Sequence, residues 1–137
     1  MDDSGLLDWA ENHARHQDVY LKKIKSTERS GGKLVITYDD KQQIFVGESV
    51  PTFKSLSWIG EQHVMLVTYN TKANLDSLID AWGELIKYRN LKVFFINPDS
   101  QLEMKWLISP YIHNKICDNE SLKTGLKSMF ETVDEII

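Results

Sequence analysis

His13 and His16 stand three residues apart in a stretch that reads as helix, a spacing that lets both imidazoles face one ion. A metal site needs a third ligand, and none is linked to this pair in sequence. A solvated pair on an exposed face is the default reading. His113, Cys117 and Asp118 are the residue types of a thiolate nucleophile with its base and orienter. Those groups must converge in space, so a buried thiol and a hydrogen-bonded imidazole are expected there instead. His63 has no such neighbour in sequence. Lys22, Lys23, Lys25, Arg29 and Lys33 fall within twelve residues, with Glu28 the only acid among them. Such a run can meet phosphates, although a solvated helix end, where lysines suit the dipole, has the same composition. Trp58 sits among Ser and Gly in a loop and is the aromatic best placed for a contact surface. Lys22, Lys23, Lys25 and Trp58 are therefore the candidate binding residues. Ser30-Gly31-Gly32 precedes a strand, the wrong setting for a phosphate-cradling loop.

The elements that must position these residues follow from periodicity. Leu7, Ala14 and Leu21 recur at sevens, which predicts a helix over 4–25. KLVITY (33–38) and QQIFVG (42–47) are β-branched and aromatic, and Asp39-Asp40-Lys41 between them makes an antiparallel hairpin. Residues 48–62 form a loop that packs on its own aromatics. VMLVTY (64–69) and LKVFFI (91–96) are apolar throughout, as strands buried on both faces are. Between them Leu75, Leu78, Ile79, Trp82, Leu85 and Ile86 mark a helix capped by Asn74. A strand, a helix and a strand in that order imply a parallel crossover. Residues 101–107 fit a short helix and 104–108 fit a strand. A short strand is expected over 112–117, then a last helix capped by Asp118 or Asn119, with Leu122, Leu126, Met129, Phe130, Val133 and Ile136 on one face.

The predicted fold is thus a single α/β domain, a mixed sheet flanked by helices. Its helix, three strands, helix and strand resemble the αβββαβ core of the restriction-endonuclease-like nucleases; a Rossmann-like three-layer sandwich is the alternative. The resemblance covers about two thirds of the chain and includes Asn70-Thr71-Lys72 after the third strand. In that family a D/E-x-K there, with a carboxylate near the second strand, holds a divalent metal that activates water. The resemblance would give Lys72 the phosphate-polarising role and Glu48, with Asp39 or Asp40, the Mg²⁺-binding role. Neutral Asn70 stands where the family has an acid, so the resemblance implies a degenerate core that binds without cleaving. A metal-dependent nuclease with a migrated carboxylate is the second expectation. A self-associating module, docking through the apolar end Ile136-Ile137, is the third.

Composition bounds these options. The 137 residues carry 42% hydrophobic and 26% charged side chains, enough for one core. The net charge of −4 disfavours nucleic acid and leaves a protein partner or a homodimer as the expected company. One cysteine, an acidic start and no long apolar run suggest a cytoplasmic protein off the membrane, with no resident cofactor.

Overall fold

The computed structural model describes residues 3–101, 104–116 and 118–136. The chain forms α1 (Asp3–Gln17), β1 (Ile24–Ser30), β2 (Lys33–Tyr38), β3 (Gln42–Gly47), β4 (His63–Tyr69), α2 (Lys72–Asp80), α3 (Trp82–Leu85), β5 (Leu91–Ile96), β6 (Lys105–Ile108), α4 (Pro110–Ile116) and α5 (Asn119–Glu131). The six strands lie side by side in chain order. β1, β2 and β3 are antiparallel to one another, β3, β4 and β5 are parallel, and β6 returns antiparallel to β5.

Alternation along the strands splits the core in two. Leu34, Ile36, Phe45, Met65, Val67 and Phe94 face α1 and pack on its Leu6, Leu7, Ala10 and Ala14. The opposite face carries Leu66, Val93, Phe95, Trp106 and Ile108, covered by Leu75, Leu78, Leu126 and Phe130. Phe53, Leu56 and Ile59 bring the 48–62 loop onto the same face. β4 and β5 are buried on both sides, as their unbroken apolar runs require. α1 crosses β3 closely at Gly47, where an added Cβ would stand 2.9 Å from Leu6 Cβ.

The hairpin, the parallel crossover and the β5 strand match the sequence reading. Several expectations are corrected. The first helix stops at Gln17, because the Asp18 carboxylate accepts from the Lys23 and Ile24 amides, at 2.8 and 3.0 Å, and turns the chain back. Lys25 and Arg29 of the basic stretch therefore lie on the edge strand β1 rather than a helix end, and four strands precede α2 where three were expected. α2 begins a turn early, capped by the Thr71 hydroxyl, which accepts from the Asn74 amide at 3.1 Å. The expected long helix breaks at Ala81, after which Trp82 Nε1 donates to Asn114 Oδ1 at 3.2 Å. Residues 105–108 take the strand option, and 110–116 form a helix where a strand was expected. Pro110 there suits a first helical turn, with no amide to leave unpaired. The last helix is capped by Asp118, whose carboxylate accepts from the Ser121 amide at 2.8 Å.

Beyond α5 the chain wraps the carboxyl end of the sheet. Val133 packs on the α2 face and Ile136 on the α1 face, so residues 132–136 pass from one side to the other.

Candidate functional site

Two places hold the residues that sequence chemistry singles out. The first is the carboxyl end of the parallel strands, where open α/β sheets commonly bind ligands. Here the segment after α5 crosses the crevice and leaves a pocket of about 360 Å³ lined by Tyr69, Asn97, Pro98, Asp99 and Ile136. Asn70 is fully buried, and its amide nitrogen donates to the carbonyls of Val133, Phe130 and Asp134 at 3.0, 3.3 and 3.3 Å. Its Oδ1 accepts from Trp106 Nε1 at 2.8 Å, and its backbone carbonyl accepts from the Ile136 amide at 2.9 Å. Asn97 repeats the pattern one strand over, donating to the Asp134 carbonyl at 3.0 Å. Asn74 is buried beneath them on the Ser49 and Tyr69 carbonyls and the Thr68 hydroxyl, 2.9–3.0 Å away. The Asn70 and Asn74 amides are thus the mortar of this end.

Lys72 projects outward, 58% exposed, and pairs with Asp76 at 3.2 Å, one turn along α2. Glu48 follows β3 at this same end, its amide donating to the Val67 carbonyl at 3.1 Å. Asp39 and Asp40 lie at the other end of β3, beside the β2–β3 turn, and Asp39 pairs with Lys25 at 3.7 Å. A six-residue strand keeps Glu48 and Asp39 roughly 20 Å apart. One metal ion cannot take both. Among the described residues, no group of three or more His, Cys, Asp or Glu could hold a metal ion. Lys22, Lys23 and Trp58 are also divided. The lysines precede β1 near Tyr38, whereas Trp58 lies at the far end of that hairpin, with Lys33 Nζ 3.8 Å from its ring centre. His113 Nδ1 lies 3.0 Å from the Ser109 carbonyl, so that imidazole is held by backbone; Cys117 lies outside the described residues.

The second place is a groove between α1 and β6. Trp9, Asn12, His13 and His16 recur at helical spacing and form one wall, and Met104 and Lys105 form the other. His13 stacks on Trp9, with ring centres 4.9 Å apart and planes 9° apart, and both rings meet Phe94 edge-on at 5.7 and 6.0 Å. Burial of the His13 ring, with Lys105 and then His16 nearby, holds its pKa below the ordinary imidazole value of 6.5. His13 is therefore half-buried rather than solvated. Register puts Lys92 and Phe94 of β5, and Lys105 and Leu107 of β6, on this face of the sheet. α1 lies over β2, β3 and β4, which leaves Met104 52% and Leu107 37% exposed beside it.

The charges of α1 are sorted. Asp8 and Glu11 turn to β1 and pair with Arg29 at 2.8 and 3.3 Å, while the two imidazoles turn to β6. Sequence reading noticed His13 and His16 but missed Trp9, which completes their stripe, and could not place β6 opposite them. The i, i+3, i+4, i+7 spacing of Trp9, Asn12, His13 and His16 was the available signal.

No family model, curated protein or solved structure matches this chain. No helix among the described residues is long and apolar enough to cross a membrane.

Proposed function

We propose that the protein is a non-catalytic α/β binding module that engages a partner protein through the groove between α1 and β6. The observation that carries this reading is the incomplete cover of the sheet. Met104 and Leu107 stay exposed next to the Trp9–His13 stack on a face that α1 covers elsewhere. Apolar and aromatic side chains exposed together inside a polar rim are the usual composition of a contact surface. Methionine adds an adaptable wall.

Kinship with a degenerate restriction-endonuclease-like core is the finer reading of the architecture. The order α1, β2, β3, β4, α2, β5 is consistent with it, with β1 added at the sheet edge. The occupied state of Asn70 supports loss of chemistry, since every polar atom of its amide is engaged by the fold. The nuclease alternative retains Glu48 and Lys72 at one end of the sheet. Incubation with single- and double-stranded DNA and RNA in Mg²⁺ or Mn²⁺ should give no cleavage. Cleavage abolished by both Glu48→Ala and Lys72→Ala would replace the binding reading with the catalytic one. The binding reading itself is tested by selecting peptide ligands and mapping them. Perturbed amides should cluster at residues 9–16 and 104–107.

A further inference from the structure

We infer that the α1–β6 groove takes an acidic segment with an apolar anchor, a short stretch of a partner protein in which carboxylates flank a bulky hydrophobic side chain. This rests on the groove being the contact surface, and it adds the chemistry of what fills it.

The first ground is charge. The chain is acidic as a whole, yet the described groove lining bears one cation, Lys105, beside the two imidazoles of His13 and His16, and no acid. Lys92 extends the same sign along the sheet face. Among the described residues neither Lys92 nor Lys105 has an ion-pair partner, so both charges are available to a ligand. The acids of α1 that could have neutralised the groove are committed to Arg29 on the opposite flank. Cations left unpaired around an apolar floor steer and orient an anionic partner.

The second ground is shape and surface. The groove encloses about 430 Å³, room for one large side chain with part of its backbone. Its apolar lining is Trp9 and Met104, with Phe94 packed edge-on beneath Trp9, and Leu107 lies exposed beside it on the same face of the sheet. A nucleic acid suits this less well. His13 already covers one face of Trp9, so a base would find that face taken.

Selection from a random peptide library against the intact protein tests the inference, with affinities measured by fluorescence polarisation. Enriched peptides should carry Asp or Glu around a Leu or an aromatic residue, and binding should weaken as salt rises. Lys105→Glu and Leu107→Asp should each weaken them about tenfold or more, which corresponds to roughly 1.4 kcal/mol. Lys123→Glu, on α5 at the opposite face of the sheet, should leave affinity unchanged. Urea midpoints of all three variants near wild type would exclude misfolding as the cause. Enriched peptides that map to the groove but are basic or uncharged would overturn the acidic assignment and leave the binding reading standing. Failure to enrich any peptide sensitive to Leu107→Asp would overturn both. An oligouridine that binds more tightly than the peptides, and is lost in Lys105→Glu, would move the assignment to nucleic acid. A dimer in sedimentation that Leu107→Asp dissolves would assign the face to a second copy of this chain.

Discussion

Asn70 holds the position where the nuclease resemblance wants an acid, and its surroundings explain why an acid would be rejected. Its amide nitrogen faces three carbonyl oxygens and its amide oxygen faces an indole N–H. A carboxylate can accept from Trp106 but would set a negative oxygen against the carbonyls of Phe130, Val133 and Asp134. Asn70→Asp should therefore destabilise the fold and create no metal-dependent cleavage, as denaturant titration and a nuclease assay would show. Asn70→Ala leaves the same partners unpaired and should cost on the order of 3 kcal/mol. His13 gives the other residue-scale expectation. Its folded-state pKa lies below 6.5 through burial and the nearby Lys105 and His16 charges. Above pH 6.5 the ring is neutral folded or unfolded, and its contribution is complete. As pH falls below 6.5 toward the folded pKa, the unfolded chain takes up the proton first and stability drops. The urea midpoint should fall over that window, and His13→Gln should flatten the fall.

At the scale of elements, legibility in the sequence followed burial. β2, β3 and β5 have the bounds that alternation or continuous apolarity predicts, because each faces a core that selects its side chains. β1 escaped notice because it is an edge strand: IKSTERS is held by backbone pairing with β2 and by Arg29 and Arg15 reaching α1 and Thr27. Its charges are those that protect an open edge, and they read as a solvated helix end. Val19 and Leu21 extended the apparent helical stripe, yet both sit exposed on the reversal beside Tyr20, which is 94% exposed. α4 was misread because Ile112 and Ile116 are exposed one turn apart and signal no buried face. The groove was half legible. Its α1 stripe is local spacing, whereas its β6 wall depends on an antiparallel pairing with β5 that no local pattern encodes. The α1–β3 crossing yields a further prediction. Gly47→Ala would drive a Cβ to 2.9 Å from Leu6 Cβ and should lower stability by about 1–3 kcal/mol, read from thermal or urea denaturation.

At the scale of the whole molecule, the segment after α5 connects the carboxyl end of the sheet to the groove. The Asp134 carboxylate accepts from the Gln101 amide at 2.7 Å and the Ser100 hydroxyl at 3.1 Å. The Asn97 amide in turn donates to the Met104 carbonyl at 2.8 Å. The same clamp thus holds the loop that leads to the groove wall. Asp134→Ala should speed hydrogen exchange at Gln101 by about tenfold or more while leaving the β4 amides protected. Peptide affinity at the groove should drop with it.

The chain-order sheet bears on how the molecule is made as well as how it stands. Every strand's partner is its neighbour in sequence, so the sheet can grow one strand at a time without waiting for a distant segment. Among the described residues, two long closures fall outside that scheme. One brings Asp3 to the Ser49 amide, 46 residues away, and the other brings Asp134 to Asn70, 64 residues away. Refolding should run quickly through the strands, and the late barrier should belong to whichever closure comes last. Stopped-flow refolding of Asn70→Ala would identify it. An unchanged folding rate with faster unfolding would date the Asn70 closure after the transition state.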